Sequence, residues 1–382
     1  GIMSLVADYS ARTIDNSIAG SYDVDATSLN WRIMDDLAVR YSEQTAVKAP
    51  DLGDLFLPQI TAFSRADDPC DYRFRDVGRN PEQRRANCDA EGIPADFVSL
   101  VVNATARGVT GGNPNLINEV ADTVSTGIVY QPNWWGDVFF GSLNLAADYI
   151  EIQLNDYVTS FSLSQNMAAC YDYDTYPNSQ FCDSFTRDAD FEVVDFQTGL
   201  INAGLIDFAT YVYKADFAFD VAELASFVSR ENVAMDLGSM AVRWRATQED
   251  FFASADSGAA EDLSSATGQF GNDEWFYDTA VEWVYGDWYV WVQGNSRSGG
   301  VIDINRQYDD EYLGYDGNPI YEFDGYTTYN GGVGYYVNDD TTLRVNFYNL
   351  MDYDGFEEDV FTPEADLLFI GRQVNASLNV RF

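Results

Sequence analysis

The sequence contains no histidine among its 382 residues. A chain without histidine cannot form a Ser-His-Asp or Cys-His catalytic centre or a histidine-bound zinc site. It also lacks the side chain whose charge ordinarily changes near neutral pH. Phosphate-binding glycine-rich loops and nucleophile-elbow motifs are missing as well. We therefore predict that the protein is not an enzyme, and we predict no cofactor and no metal site.

Long hydrophobic runs are also missing. No uninterrupted apolar stretch reaches the roughly 18 residues that a membrane-spanning helix needs. The chain begins at Gly1 with strand-like sequence. It shows no signal-peptide pattern, in which a basic segment is followed by an apolar one. For an exported protein, we expect either that a signal peptide was removed or that this chain is a fragment.

Basic residues are few. The chain has 21 Lys and Arg and 62 Asp and Glu, which gives a formal net charge of −41. Proteins that bind nucleic acid need a basic surface, so we exclude nucleic acid as a partner. Acidic side chains in such numbers are typical of solvated loops. The alternative is a lumen or vestibule that attracts cations.

Four cysteines form two local pairs in the sequence, Cys70 with Cys88 and Cys170 with Cys182. Four cysteines allow three disulfide connectivities, and local pairing is the simplest of them. Neither pair has the CxxC spacing of metal-binding or thioredoxin-like sites. Disulfides would fit an oxidising compartment such as a periplasm or a cell surface.

Aromatic residues and two-residue alternation dominate what is present. Tyr, Phe and Trp make up 15% of the chain, and they favour strands and membrane interfaces. Residues 373–382 alternate strictly between polar and apolar, which is typical of a strand with one apolar face. Similar alternation elsewhere predicts about twelve strands, many long enough to cross a bilayer at a tilt. They are predicted at 2–12, 22–33, 36–47, 118–131, 137–153, 199–219, 223–246, 270–285, 287–299, 322–338, 341–350 and 366–382.

The predicted connections alternate between short and long. Short turns are predicted at 34–36, 131–137, 220–222, 286–287 and 338–340. Long connections are predicted at 48–117, 154–198, 247–269, 300–321 and 351–365. Short turns on one rim and long loops on the other are the arrangement of outer-membrane barrels. The predicted fold class is therefore all-β, a transmembrane antiparallel β-barrel, with aromatic residues near the strand ends as a girdle at the membrane interface.

Five segments resemble the TonB-dependent receptors, and they occur in the order found in that family. They are AVKAPDLGDLF (46–56), GGNPNLINEVADTVSTGIVYQP (111–132), TGLINAGLIDFATYVY (198–213), TTLRVNFYNLMDYD (341–354) and RQVNASLNVRF (372–382). The resemblance implies that residues 1–382 are the C-terminal part of such a barrel, in the bacterial outer membrane. We expect the plug domain, the TonB-binding box and the N-terminal strands of a barrel of about 22 strands to lie outside this chain.

The resemblance also implies a function and partners. Such a receptor imports a scarce nutrient (a siderophore, cobalamin, a carbohydrate or a similar small molecule) with energy supplied by TonB through the missing N-terminal region. Its other partners are outer-membrane lipid and the barrel-assembly machinery, which reads the closing strand and its terminal aromatic residue, here Phe382. Both cysteine pairs fall in predicted outer loops, where the family often carries disulfides.

The loop between Cys170 and Cys182 offers flat aromatic faces that could contact a sugar or an aromatic ligand. The candidates are Tyr171, Tyr173, Tyr176 and Phe181. The same side chains could instead pack the loop onto its neighbours.

Two other functions fit parts of the same pattern. One is a self-contained passive pore of about twelve strands that needs no plug. The other is a secreted β-rich binding module, in which sheet packing rather than lipid covers the apolar faces. The ligand and the oligomeric state are left open.

Overall fold

The computed structural model describes residues 3–18, 20–255, 263–301, 322–354 and 371–381. In the first half of the chain, the elements are β1 (Ser4–Asn16), β2 (Gly20–Arg32), β3 (Leu37–Lys48), α1 (Leu52–Phe56), β4 (Ile60–Ser64), α2 (Pro81–Glu91), β5 (Ala106–Gly111), β6 (Glu119–Tyr130), α3 (Trp135–Val138) and β7 (Ser142–Phe161). In the second half, they are α4 (Leu163–Tyr171), β8 (Phe185–Arg187), β9 (Val193–Asp220), α5 (Val221–Ser229), β10 (Ser239–Ala255), β11 (Ser264–Ser265), β12 (Trp275–Tyr285), β13 (Trp288–Arg297), β14 (Gly300–Val301), β15 (Glu322–Phe323), β16 (Tyr326–Asn338), β17 (Thr341–Tyr348) and β18 (Gln373–Val380).

One antiparallel sheet, which we call the wall, runs in the order β1-β2-β3-β6-β7-β9-β10-β12-β13-β16-β17-β18. Each strand therefore pairs with the wall strand that comes next in the chain. Side chains alternate between the two faces of a strand, and antiparallel pairing places residues that lie opposite each other on the same face. The apolar sides of successive strands consequently form one continuous surface. Among the described residues, no pairing joins β1 to β18.

The two rims of the wall differ in the length of their connections. On one, the turn rim, Gly286 and Asp287 suffice between β12 and β13, and Asp339 and Asp340 between β16 and β17. On the other, the loop rim, residues 49–118 join β3 to β6, and a second long connection joins β7 to β9. The β1–β2 hairpin is a short exception on the loop rim. The all-β prediction is confirmed, and within the described ranges no helix has the length and apolar character needed to span a membrane.

The predicted strand at 223–246 is wrong in its first half. Residues Val221–Ser229 form α5, and β10 starts only at Ser239, from which it continues to Ala255. The sequence VAELASFVS is rich in Ala, Leu and Glu, which favour a helix, and its apolar residues fit the helical period as well as a short strand. Arg230, with φ of 58°, ends the helix in the left-handed region.

The predicted turns at 220–222 and 131–137 are therefore longer connections that contain α5 and α3. Strand β9 is also longer than predicted, because it starts at Val193 and extends past the wall together with the far end of β7. The predicted connections 300–321 and 351–365 lie mostly outside the described residues, as does Phe382.

Candidate functional site

One face of the wall is apolar from strand to strand. Leu378 lies opposite Leu343, Leu343 opposite Tyr335, and Tyr335 opposite Trp288. A parallel row consists of Ala376, Val345, Val333, Val290, Trp283, Met240 and Phe219. Many of these side chains are exposed, as Leu378 is at 64%. A soluble protein rarely exposes so large an apolar patch, whereas a wall in lipid requires one.

An aromatic belt crosses this face near the loop rim. The rings of Tyr149 and Tyr211 have centroids 4.7 Å apart, and Tyr211 stacks on Tyr213 at 6.2 Å. Trp275 continues the row at 6.3 Å from Tyr213 and stacks on Tyr277 at 5.5 Å. Tyrosine and tryptophan at one height along several strands are typical of a membrane–water interface.

A second aromatic belt lies near the turn rim. Trp283 stacks on Tyr285 at 5.7 Å between ring centroids, and Trp288 lies 4.7 Å from Tyr335. Along β12 this belt is eight residues from the first, counted from Tyr277 to Tyr285. At about 3.3 Å per residue the two belts are roughly 26 Å apart along the strand, or roughly 20 Å in height at a tilt of about 40°, which is of the same order as the apolar band of about 25 Å in outer-membrane barrels. The spacing fits the predicted girdle.

The opposite face of the wall is polar and carries ion pairs between strands. The guanidinium of Arg40 donates to the carboxylate of Asp148 through Nε at 2.7 Å and Nη2 at 2.5 Å. This contact passes over Gly127, where a Cβ atom would lie 1.9 Å from Asp148 Oδ1. Arg245 pairs with Asp216 at 2.8 Å. Asp278, Glu282 and Arg344 also occupy strand positions on this face.

Two long connections form a compact unit, the cap, on the loop rim. It consists of residues 49–118 and 162–192 together with the adjoining ends of β7 and β9. Its buried apolar cluster is made of Ala66, Cys70, Cys88, Ile93, Val101, Ala106, Phe161, Leu163, Met167, Ala169, Cys170, Tyr171, Phe181, Phe185, Val193, Phe196 and Ala203. Strand β5 also pairs in parallel with β9, which fixes the cap to the wall. The main hydrophobic core of the described chain therefore lies above the wall.

Two buried ion pairs join the two halves of the cap. Arg187 binds Asp68 in a bidentate contact, with Nη1–Oδ2 of 2.8 Å and Nη2–Oδ1 of 2.7 Å. The two side chains are only 4% and 0% exposed. Arg84 binds Asp172 in the same way at 2.5 and 2.6 Å. Paired geometry of this kind offsets the cost of removing charges from water, and it specifies how the two connections fit together.

The four aromatic ligand-contact candidates have different environments. Tyr171 is 1% exposed, and Phe181 is also buried, where it stacks on Phe161 at 5.3 Å between ring centroids. Tyr173 and Tyr176 are half-buried at the edge of the cluster. Contact of any of these four with a ligand stays a prediction, and the half-buried pair is the better placed for it.

The hydroxyls of Tyr171 and Tyr176 both donate to the carboxylate of Glu91, from Tyr176 at 3.1 Å. Burial, followed by the negative charge of Glu91, raises the pKa of Tyr176 to about 12. The same two causes raise the pKa of Tyr171 further, although Arg187 acts in the opposite direction. Both tyrosines are therefore held neutral in the folded cap.

The cap should lose stability at high pH through these tyrosines. A pKa raised by folding gives a contribution that is fully present below the ordinary value of 10.0 and is lost as pH rises toward about 12. We expect Tyr176→Phe to move the alkaline unfolding of the cap to higher pH. Tyrosinate absorbance, followed together with proteolysis of the cap, measures both events. An unchanged unfolding pH in the variant would contradict the assignment.

Both cysteine pairs form disulfides with the local connectivity. Cys70 bonds to Cys88 across 18 residues, and Cys170 bonds to Cys182 across 12. The first bond lies inside the cap at the end of α2, and the second joins α4 to the turn before β8. Each closes a loop and so restricts the unfolded chain.

Loss of the second disulfide should measurably destabilise the cap. In the loop-entropy model, a loop of this size is worth about 3 kcal/mol, so Cys170→Ser combined with Cys182→Ser is expected to lower the free energy of unfolding by that order. Hydrogen exchange of the cap amides measures the change, and reductant should reproduce it in the unaltered protein. Equal exchange in both proteins would mean that the apolar cluster alone holds this loop.

A cleft of about 440 Å³ opens where the cap meets β9. Its lining is almost wholly uncharged and consists of Gly111, Gly112, Asn113, Asn115, Ile117, Gln180, Asp183, Ser184, Gln197, Thr198, Gly199, Leu200, Ile201 and Asn202. Asn113 donates to the Leu200 carbonyl at 2.9 Å, and Asn202 donates to the Ile117 carbonyl at 3.1 Å. Sequence reasoning missed this cleft, although the Gly- and Asn-rich run at 111–118 marks one of its walls.

Comparison of folds identifies known proteins with the same architecture. The ferric enterobactin receptor of Pseudomonas aeruginosa, in a mutant form, superposes with a TM-score of 0.58 over 99% of this chain and 43% of that one, at 12% identity. A siderophore receptor from Acinetobacter baumannii gives a TM-score of 0.57 over 99% of this chain and 44% of that one, at 13% identity. The chain shares the fold of part of each of these two receptors.

This receptor fold is the one that the sequence resemblance to TonB-dependent receptors implies, so that prediction is confirmed. The chain spans less than half the length of each of these two receptors. No protein-family model matches the sequence, and no curated protein matches it either. The chain therefore resembles these two receptors in fold, whereas few of its residues are identical to theirs.

Proposed function

We propose that the protein is a receptor of the bacterial outer membrane that captures a scarce small-molecule nutrient and imports it with energy from TonB. An iron–siderophore complex is the first ligand to test, because the two solved structures compared above are a ferric enterobactin receptor and a siderophore receptor. Cobalamin and oligosaccharides are the next candidates. Residues 1–382 supply a C-terminal part of the barrel wall and an outer cap.

The observation that carries the proposal is the division of the wall into an apolar and a polar face, with a cap on one rim. The apolar face, bounded by two aromatic belts, suits lipid on the outside. The polar face with its ion pairs suits a water-filled or plugged interior. Short turns belong on the periplasmic side and long loops outside, so the cap faces the medium from which a ligand arrives.

The cap supplies the rigidity that capture of a dilute ligand needs. A loop that is already ordered loses little further entropy on binding, and this loss otherwise reduces affinity. Two disulfides and two buried ion pairs order the cap before any ligand is present. The uncharged cleft, with amide and hydroxyl groups from both halves of the cap, offers hydrogen bonds to a polar ligand.

Uptake by living cells tests the proposal. The gene would be deleted from its source organism, and uptake of radioactive iron would be measured with a panel of ferric siderophores, beside labelled cobalamin and oligosaccharides. We expect uptake of one ligand class to be lost on deletion, to return with the full-length gene, and to require both TonB and the membrane proton gradient. Uptake that is restored without TonB would indicate a passive pore instead.

A further inference from the structure

The turn rim carries an apolar projection that the function proposed above does not use. It consists of α3 with its flanking aromatic residues and the apolar side of α5, and we call it the ledge. Phe227 and Val228 of α5 are 48% and 73% exposed, and Trp134, Val138 and Phe139 beside them are also exposed. Two other turns on this rim need only two polar or small residues, between β12 and β13 and between β16 and β17.

Ring contacts connect the ledge to the apolar face of the wall. Phe140 lies 5.4 Å from Phe217, 5.3 Å from Phe219 and 5.3 Å from Phe227, measured between ring centroids. Trp135 meets Phe217 edge to face at 6.2 Å. In the sheet, Phe217 pairs with an apolar residue on each side, Val242 on β10 and Leu143 on β7. The ledge is therefore on the lipid side of the wall.

Helix α5 is amphipathic, and its polar side is already occupied. Ser226 donates to the Ala222 carbonyl at 2.7 Å and accepts from the Val233 amide at 3.0 Å, so the following loop covers that side. Glu223 accepts from the Gly141 amide at 3.1 Å. At the helical spacing of 3.6 residues, Leu224 and Val228 share the other side, and Phe227 lies at its margin.

The two tryptophans of the ledge have the polar contacts that an interfacial position needs. The indole of Trp134 donates to the hydroxyl of Tyr130 at 3.1 Å, and that of Trp135 donates to the Phe140 carbonyl at 3.1 Å. Both N–H groups are thus satisfied within the protein, and the exposed ring of Trp134 is placed to lie among lipid headgroups. Arg230, at the end of α5, adds a positive charge suited to phosphate groups.

We propose that the ledge is a lipid-binding surface that lies in the headgroup region of the inner, periplasmic leaflet of the outer membrane. This inference rests on the proposed function, because it requires the wall to stand in that membrane. Continuity with the apolar face selects phospholipid as the partner rather than a periplasmic protein. Amphipathic helices of this kind bury their apolar side roughly 5–10 Å into the boundary between headgroups and chains. The ledge then fixes the height of this side of the wall in the bilayer.

Spin labels on introduced cysteines test the proposal, because all four natural cysteines are disulfide-bonded. The full-length protein would be placed in phospholipid bilayers with a label at Val228→Cys. Val281→Cys, in the middle of the apolar face, serves as the lipid control, and Glu231→Cys, on the loop after α5, as the water control. The measured quantity is the accessibility of each label to oxygen, which enters lipid, relative to a water-soluble nickel chelate.

We expect the ratio of oxygen to nickel accessibility at residue 228 to exceed the ratio at residue 231 several-fold and to stay below the ratio at residue 281, which lies deeper in the bilayer. A label at Val138→Cys, on α3 of the same ledge, should give the same result if a label on α5 disturbs that helix. Water-like values at both 228 and 138, with a lipid-like value at 281, would overturn the ledge proposal alone. A water-like value at 281 would overturn the membrane location on which both proposals rest.

Discussion

Arginine in place of Val292 is expected to destabilise the protein folded in a bilayer by about 2–4 kcal/mol, which is the cost of a basic side chain on the lipid face near the midplane. Val292 lies on the apolar face, opposite Val281 on one side and Gly331 on the other. Along β13 it is four residues from Trp288 of the turn-rim belt. Folding into phospholipid vesicles at increasing urea concentration measures the change.

The matched control is arginine at the next residue. Gln293 belongs to the polar face, and its side-chain amide donates to the carboxylate of Asp278. An arginine there gains an ion pair with the same carboxylate and stays in the lumen, so Gln293→Arg should fold nearly as well as the unaltered protein. Equal effects of the two substitutions would contradict the assignment of the faces, and with it the membrane location.

Asparagine in place of Asp68 is expected to destabilise the cap by up to about 3–5 kcal/mol, because it removes the bidentate partner of the buried Arg187 and leaves only the Glu91 carboxylate, 4.0 Å from its Nε, as a counter-ion. Asp68 accepts two hydrogen bonds from that guanidinium and one from the Cys70 amide at 3.0 Å. Its loss weakens the contact between residues 49–118 and residues 162–192, which Arg84 and Asp172 still join. Hydrogen exchange of amides in α2 and α4 should accelerate together, while exchange in β12 and β13 should stay as it was.

An exposed ion pair of the same cap provides the comparison. Arg85 contacts Asp76 at 2.6 Å, with side chains 42% and 74% exposed. Pairs that remain in water contribute between zero and about 1 kcal/mol, so Asp76→Asn should hardly change the exchange rates. If Asp68→Asn proved as mild as Asp76→Asn, water would have to reach the buried pair, and the cap would be looser than its contacts indicate.

The wall was predictable from the sequence because its physical constraints are local. Alternation at a period of two residues marks each strand, and the closing strand at Gln373–Val380 shows it most clearly. Two-residue turns such as Gly286–Asp287 leave no alternative to a hairpin. Helix α5 was missed because local periodicity is ambiguous there. A run of nine mostly apolar residues fits the helical and the strand period equally well, and only the neighbouring aromatic side chains decide between them.

The cap could be predicted only as two long loops with local disulfides. Its core depends on contacts between residues that are far apart in the chain, such as Arg84 with Asp172 and Arg187 with Asp68. No short-range pattern specifies such partners. The same holds for Tyr171 and Phe181, because an aromatic residue reads identically in a sequence whether it packs inside a loop or faces a ligand.

The separation of the cap core from the apolar face of the wall has a thermodynamic consequence. The cap buries its apolar residues against each other, whereas the wall, in the proposed membrane location, exposes its own to lipid. Heat and urea weaken the burial of apolar side chains in the cap, but they act differently on apolar side chains that face lipid. Unfolding of the cap therefore need not unfold the wall. A two-state description does not apply to such a chain, and a single melting temperature would average two unrelated transitions.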